Sequence, residues 1–224
     1  MKLTFLGHSA TLLEHDGVRV VIDPFLTHNP KAALAADALE ADAIVLTHAH
    51  GDHVGDAVAI AKRTGAVVVS NVEIARRLAR EGIETIGANT GGRVALPVGS
   101  VTFTAAWHSS SFDDGAYGGL AMGALFDIGG RRVYHAGDTA LFGDMALIGR
   151  GGLDVALLPI GDHYTMGPVD ALEAVKLLRP TRVVPIHYGT FPPIEQDVGA
   201  FRDAVRSATD AVVEALAPGE AIEF

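Results

Sequence analysis

The most informative segment of the chain reads Thr47-His48-Ala49-His50-Gly51-Asp52-His53. It places three imidazoles and one carboxylate within six consecutive positions. Imidazole nitrogens and carboxylate oxygens are common ligands of transition metals, so such a dense cluster indicates a metal site rather than a solvated polar loop.

No regular element brings all four of these side chains together. On a helix His50 would point away from its neighbours, and on a strand His53 would face away from the other three. The apolar run at residues 43–46 is typical of a buried strand, and residues 56–62 predict a helix. We therefore expect the segment to form the loop between a strand and a helix.

Length and composition limit the possible classes of protein. With 224 residues, 49% of them hydrophobic, the chain is predicted to form a single domain over residues 1–224. The absence of cysteine excludes disulfides and thiolate ligands. Imidazole and carboxylate groups must then hold any bound metal, and this donor set suits zinc, manganese or iron.

Charge and targeting signals bear on partners and location. The net charge of −10 argues against nucleic-acid binding, because binding phosphates requires basic patches and the 17 lysines and arginines are scattered. The cluster of Arg76, Arg77 and Arg80 is interpreted as a solvated helix face. The apolar run at residues 3–6 is too short for a signal peptide, and no segment is long enough to span a membrane. We expect a cytoplasmic protein that does not act on membranes.

The rest of the chain alternates between strand and helix patterns. An Asp-Gly turn predicts a hairpin between residues 11–14 and 18–23. The other predicted strands are residues 2–6, 43–46, 66–70, 84–87, 93–96, 100–107, 119–127, 131–135, 154–160, 182–186 and 211–216, and the other predicted helices are residues 71–81, 168–178 and 195–207. Both halves open with strands and then alternate, which indicates two mixed sheets face to face with helices outside.

Three further polar residues come just after predicted strands. His108, Asp138 and His187 each follow the carboxyl end of one. Because ligand sites in α/β sheets collect at that edge, these residues and the His48 segment are expected to line one groove.

These residues, with several flanking motifs, resemble the metallo-β-lactamase-fold hydrolase superfamily. The flanking motifs are Gly7-His8-Ser9, Ile22-Asp23-Pro24-Phe25, residues 159–167 and Pro185-Ile186-His187-Tyr188. They are similar to the branch of small metal-dependent hydrolases related to L-ascorbate-6-phosphate lactonase. The resemblance spans the chain and implies an α/β fold of mixed α+β type, a four-layer αββα sandwich of two mixed β-sheets with helices outside.

The resemblance also implies a site for two divalent ions per chain, with zinc or manganese expected and iron as an alternative. The first ion would be bound by His48, His50 and His108, the second by Asp52, His53 and His187, and Asp138 would bridge both. Two such ions can share a water, lower its pKa and present hydroxide as the nucleophile. No protein nucleophile is then needed, and residues 109–111 are interpreted as a polar loop.

Other residues near these motifs have predicted supporting roles. Besides Asp52 and Asp138, the catalytic candidates are His8 and His163. His8 would face the substrate or support a metal ligand, whereas His163 would bind substrate or protonate the leaving group. Lower-ranked assignments are Asp23 and Asp162 as supports for imidazoles or as turn residues, Tyr164 and Tyr188 as packing residues, His135 as a core or supporting residue, and His15 and His28 as surface residues.

Several functions fit this pattern. The favoured one is a binuclear hydrolase of a small, lactone-like ester, and the alternative is a phosphodiesterase acting on a small nucleotide or phospholipid headgroup. A non-catalytic metal or ligand sensor is disfavoured because the ligand set is intact. A β-lactamase is disfavoured by the lack of cysteine, and a nuclease by the acidic balance. A small-molecule substrate is the expected partner, and a homo-oligomer is expected because symmetric assemblies are common.

Overall fold

The computed structural model describes residues 1–224 and contains two mixed sheets of seven strands each. The first sheet consists of β1 (Lys2–Gly7), β2 (Ala10–His15), β3 (Val18–Ile22), β4 (Ala43–Val45), β5 (Val67–Asn71), β6 (Thr85–Ala88) and β14 (Ala221–Glu223). The second consists of β7 (Arg93–Ala95), β8 (Ser100–Ala105), β9 (Met122–Ile128), β10 (Arg131–His135), β11 (Leu153–Pro159), β12 (Pro180–Ile186) and β13 (Val212–Val213). The helices are α1 (Gly51–Val54), α2 (Ala57–Thr64), α3 (Val72–Leu78), α4 (Met145–Gly149), α5 (Pro168–Leu178) and α6 (Val198–Ala208).

The two sheets share one pattern of strand pairing. Their strand orders are β14-β1-β2-β3-β4-β5-β6 and β13-β12-β11-β10-β9-β8-β7. Strands β3 to β6 of the first sheet and β10 to β13 of the second sheet pair in parallel. The other neighbouring strands in each sheet pair antiparallel. Parallel strands end at one common edge, where the loops that follow them meet.

Alternating side chains along the strands produce three apolar layers. In β3, Val20 and Ile22 face the core between the sheets, which also holds Phe103 and Phe126 of the second sheet. The neighbouring Val21 faces the opposite way, toward the layer that α2 and α3 cover. Helices α4, α5 and α6 cover the outer face of the second sheet. The predicted four-layer αββα sandwich is confirmed.

The metal-motif segment is not a loop throughout, so that prediction is wrong in part. Its second half forms the single turn α1, in which the backbone N–H groups of His53 and Val54 donate to His50 O. Gly55 ends this turn at φ 41°, and a Cβ there would lie 2.5 Å from Pro24 O. Because the first half of the segment is extended and the second half is helical, its three imidazoles and one carboxylate point toward one region. Neither a strand nor a helix alone would allow this.

Other boundaries differ where local hydrogen bonds override the apolar pattern. The predicted strand at 119–127 begins only at Met122, because the Asn71 side-chain amide donates to the carbonyls of Gly118 and Leu120. The predicted helix at 195–207 begins at Val198, because the Asp197 carboxylate accepts from Ala200 N and caps it.

The last part of the chain departs most from prediction. The strand expected at 211–216 is only the two-residue β13, and the chain then crosses to pair β14 with β1. Strand β14 has only three residues, fewer than the run that signals a strand in a sequence. Helix α4 was not anticipated, whereas α5 has the predicted bounds. None of the helices combines the length and apolar character needed to cross a bilayer.

Candidate metal centre

The predicted ligands come together at the edge where the parallel strands end. The His48 segment follows β4 of the first sheet. The other three predicted ligands belong to the second sheet, since His108, Asp138 and His187 follow β8, β10 and β12. The set is therefore divided between the two sheets.

One cluster consists of His48, His50 and His108, whose ligand atoms lie within 4.8 Å of one another. His48 Nε2 and His50 Nδ1 are 3.0 Å apart. Burial holds the pKa of each of these three imidazoles below its ordinary value. They are therefore neutral at neutral pH, each with a nitrogen lone pair that a metal could accept.

A second cluster consists of His8, Asp52, His53 and His187, again with ligand atoms within 4.8 Å of one another. Asp52 Oδ2 lies 3.1 Å from His8 Nε2 and 3.7 Å from His187 Nε2. Burial by itself would raise the pKa of Asp52, but hydrogen bonds from His187 and His8 hold it well below its usual range. The Asp52 carboxyl is therefore ionised at neutral pH.

Asp138 contacts both clusters. Its carboxylate oxygens lie 4.0 Å from His48 Nε2, 3.5 Å from His108 Nε2, 3.3 Å from His53 Nε2 and 3.1 Å from His187 Nε2. The residue is buried, with 2% of its surface exposed. Burial opposes its charged form, yet the charges of His187 and His53 keep the pKa of Asp138 well below its usual range.

The unpaired atoms of this site fit a bound cation. His53 Nε2 and Asp138 Oδ1 are buried, face each other and have no hydrogen-bond partner. Burial lowers the pKa of His187, but Asp138 and Asp52 outweigh it and raise that pKa to about 9. The pKa of His53 is likewise raised, against burial, by Asp138 and Asp23. The buried carboxylates raise the pKa of these histidines because they need a nearby positive charge. A bound divalent cation would supply that charge instead.

Asp23 orients imidazoles of both clusters. It accepts hydrogen bonds from His53 Nδ1 at 2.8 Å and from Thr47 Oγ1 at 2.6 Å. Because the Thr47 hydroxyl donates its proton to Asp23, it accepts one from His48 Nδ1 at 3.0 Å. Both histidines therefore keep Nε2 for a metal, and the predicted supporting role of Asp23 agrees with these contacts.

Comparisons with known proteins support a metal-dependent hydrolase. Residues 18–188 match the family described as "Beta-lactamase superfamily domain". A UPF0173 metal-dependent hydrolase of Thermus thermophilus is 55% identical over 224 residues, covering 100% of this chain and 99% of the relative. Another from Pelotomaculum thermopropionicum is 51% identical over the full length of both.

The chain belongs to the UPF0173 metal-dependent hydrolases of the β-lactamase superfamily. The resemblance to metallo-β-lactamase-fold hydrolases is thereby confirmed. The solved structure of Igni18, a metallo hydrolase from Ignicoccus hospitalis, superimposes with a TM-score of 0.91 at 46% identity, covering 100% of this chain and 98% of that one. An isothiocyanate hydrolase from Delia radicum gut bacteria, at 22% identity and a TM-score of 0.77, shares the fold.

In this UPF0173 chain His8 supports Asp52 rather than facing solvent. Its backbone is left-handed, with φ 58°, and its ring is buried against His187 at 4.2 Å between centroids. Burial lowers the pKa of His8 to about 4, so the ring is neutral at neutral pH. Its single proton is on Nε2 and is donated to Asp52, while Nδ1 accepts from Thr190 Oγ1 at 2.9 Å.

The structure does not bring His163 into the centre. Its exposed ring stands edge-to-face against Tyr164, 4.5 Å between centroids. Tyr164, interpreted from sequence as a packing residue, is itself exposed and lines the cavity at the metal centre. Asp162, at φ 69°, forms the turn before them and contacts no metal-binding imidazole. The loop therefore presents Tyr164 to the site.

The remaining histidines have structural positions. The buried His135 donates from Nε2 to Ser9 O and accepts from Gly137 N, which agrees with a core role. His28 is exposed, whereas His15 is half-buried against Gly129. Tyr188 lines a separate cavity behind His8, where burial raises its pKa.

Sequence reasoning missed three hydroxyl groups that position ligands or their supports: Thr47, Ser109 and Thr190. Ser109 Oγ lies 3.3 Å from His50 Nε2, so His50 presents Nδ1 to the cluster. Ser110, by contrast, supports the loop backbone through Ala49 N and Gly118 O. Thr47 could have been found within the motif itself, but nothing local marks Thr190.

Proposed function

We propose that this hydrolase carries a binuclear metal centre and cleaves a small carboxylic ester, most simply a lactone. The observation that supports this proposal is the position of Asp138 in contact with both ligand clusters. In the proposal His48, His50 and His108 would hold the first ion, Asp52, His53 and His187 would hold the second, and Asp138 would contact both. Zinc and manganese suit these nitrogen and oxygen donors.

The chain's own groups have defined tasks in this proposal. When bound, two divalent ions supply an activated water and a Lewis acid for the ester carbonyl. Asp23 fixes which nitrogens His48 and His53 present, and His8 fixes the orientation of Asp52. Tyr164 stands at the cavity where substrate must enter. We assign His163 a supporting role against the Tyr164 ring, outside the reacting groups.

The cavity favours a carboxylic ester over a phosphodiester. It has a volume of about 270 Å³ and is lined by His50, Asp52, His108, Ser109, Asp138, Tyr164 and His187. Neither lysine nor arginine is among these residues. A phosphodiester carries a charged phosphoryl group that many phosphoryl-transfer sites neutralise with such side chains in addition to metal ions. An ester carbonyl needs no permanent cation beyond the ions themselves.

The test compares initial rates of metal-reconstituted protein on matched lactones and small phosphodiesters. Asp138→Asn keeps the side-chain shape but removes the anion, and we expect the lactone rate to fall by more than about a hundred-fold, beyond the loss of a merely supporting group. Metal content, measured on the same samples, should fall below that of the unaltered protein.

Two controls complete this experiment. A chelated sample should lose the activity, and Asp162→Asn, a change in the exposed turn, should keep both activity and metal. Faster cleavage of the phosphodiesters would replace the ester proposal with a phosphodiesterase. Full activity and metal content in Asp138→Asn would refute the bridging role.

A further inference from the structure

A second concave surface is formed by segments that flank two of the proposed ligands. It has a volume of about 430 Å³ and is formed by Trp107 and residues 140–144, and we name it the apolar groove. Trp107 directly precedes the ligand His108, and residue 140 follows the ligand Asp138 by two positions. The two segments that build the groove are therefore the same two that carry metal ligands.

Hydrogen bonds join these segments to each other. Ala140 N donates to Trp107 O at 3.1 Å, and Trp107 N donates to the Thr139 hydroxyl at 3.0 Å. Thr139 is fully buried beside Asp138. The groove is thus held in a fixed position relative to the ligands, as a subsite for a substrate arm must be.

The side chains of the groove are suited to an uncharged, apolar group. The Trp107 side chain is 69% exposed, and Leu141 and Phe142 are half-buried next to it. A large exposed aromatic beside a site is available surface for a ligand. The charged side chain among the groove residues is the exposed carboxylate of Asp144, which would repel an anion.

We infer that the apolar groove binds the apolar acyl or alkyl arm of a neutral ester whose carbonyl lies at the metal centre. This inference rests on the proposed function and narrows it. A sugar phosphate finds a cationic partner in neither the groove nor the ligand cavity, because neither is lined by lysine or arginine. The substrate class is therefore an uncharged ester with an aliphatic or aromatic substituent.

A binding experiment tests the groove without any catalysis. Trp107 is the single tryptophan of the chain, so its fluorescence reports this surface alone. Titration with N-ethylhexanamide, an uncleavable neutral analogue, should give a saturable blue shift, and N-ethylacetamide should bind at least about ten-fold more weakly, because burying each methylene contributes about 0.8 kcal/mol.

A relocated reporter provides the control. In the double variant Trp107→Phe with Val212→Trp, the tryptophan lies on β13, at the opposite edge of the second sheet, where the side chain is 53% exposed. Its emission should not respond to either amide. Equal responses at the two positions, or no response at Trp107, would overturn the inference.

A kinetic series connects binding to turnover. Among p-nitrophenyl acetate, butyrate and hexanoate, kcat/KM should rise by about two- to four-fold for each added methylene. Trp107→Ala should flatten this rise, with about a ten-fold loss on hexanoate and less than about two-fold on acetate. Val212→Ala should leave the series unchanged.

The outcomes separate the inference from the function on which it rests. An amide-dependent shift without hydrolysis of any ester would support the groove and refute the esterase proposal. If the hydrolysis rate does not depend on chain length and the amides cause no fluorescence shift, the esterase proposal would be supported and the groove inference refuted. A third outcome is a fluorescence shift that depends on protein concentration, together with a dimer that dissociates in Trp107→Ala. This outcome would assign the surface to a second copy of the chain and overturn the inference.

Discussion

In the metal-free centre, the protonated imidazoles of His53 and His187 carry the positive charge that balances the buried carboxylates. The carboxylates Asp52 and Asp138 are anionic at neutral pH, and the pKa of His187 is raised to about 9. A metal that binds His187 Nε2 must displace its proton. Metal binding is therefore coupled to proton release.

This coupling predicts a pH dependence. The pKa of His187 is higher in the folded protein, at about 9, than its ordinary value of 6.5, so its contribution to stability is full below pH 6.5 and is lost as pH rises through about 9. For metal-free protein we expect the free energy of unfolding to fall by about 3 kcal/mol over this interval.

Urea denaturation of chelated protein between pH 6.5 and pH 9.5 measures the loss. Metal-loaded protein should show no such alkaline loss, because the ion replaces the proton. Calorimetry in buffers of different ionisation enthalpy should show proton release on binding. A flat stability profile for chelated protein would mean that His187 is not protonated in the fold.

Asp23 provides a second prediction for a single residue. Asp23→Asn preserves size but weakens the hydrogen bonds that orient His53 and Thr47. We expect metal affinity to fall by about ten- to a hundred-fold. Competition with a chromophoric chelator measures the affinity, and Asp162→Asn serves as the matched exposed carboxylate. Equal affinities for the two variants would contradict the role of Asp23.

At this scale the sequence predicts which candidate ligands come together better than it predicts the groups that support them. The metal motif and the residues after each strand could be identified because metal ligands are of few chemical types and occupy strand ends. The contact between His8 and Thr190 joins residues 182 positions apart, and no local pattern encodes it. His163 was a reasonable candidate by position, but a turn rotates its ring away from the centre and presents Tyr164.

At the scale of elements, Asn71 links the two halves of the fold. Its Oδ1 accepts from Ile74 N and caps α3, while its Nδ2 donates to the carbonyls of Gly118 and Leu120, which precede β9. This one buried amide therefore caps a helix that covers the first sheet and binds the segment that precedes a strand of the second sheet.

Substitutions can separate these two tasks. Asn71→Asp keeps the capping oxygen but loses both donors, and we expect it to cost about 1–3 kcal/mol of unfolding free energy because two buried carbonyls lose a partner. Asn71→Ala should cost about 1 kcal/mol more, since the cap is lost as well. Denaturant titration of both variants measures the difference. Equal losses would show that the cap contributes nothing.

Element boundaries were less predictable than element types. Apolar periodicity located α5 and most strands of the two sheets because burial imposes that periodicity. The start of β9 depends on Asn71, a side chain far along the chain, and β14 depends on β1 being available for pairing. Such starts are set by tertiary partners.

For the whole molecule, the proposed ligands are divided between two sheets, so we expect metal binding to be coupled to global stability. The His48 segment belongs to the first sheet, and His108, Asp138 and His187 belong to the second. At a free metal concentration a hundred times the dissociation constant, binding should stabilise the fold by about 2.7 kcal/mol. This corresponds to roughly 5–11 °C in Tm for a chain of this size.

Calorimetric scans with and without chelator measure this shift. Hydrogen exchange should show where it arises. Protection should be lost after β4, β8, β10 and β12, while the core around Phe103 and Phe126 stays protected. Uniform loss of protection across both sheets would mean that the ions hold the entire fold together.

The same division of ligands makes the lifetime of the chain depend on metal supply. A copy without bound metal would have only protein contacts between the two sheet edges that carry the proposed ligands, so we expect these edges to separate first. When opening and closing are fast, proteases act on the opened population, which a 2.7 kcal/mol loss would raise about a hundred-fold. In a metal-starved cell, copies that cannot catalyse would then be the ones degraded, and abundance would follow the number of loaded centres.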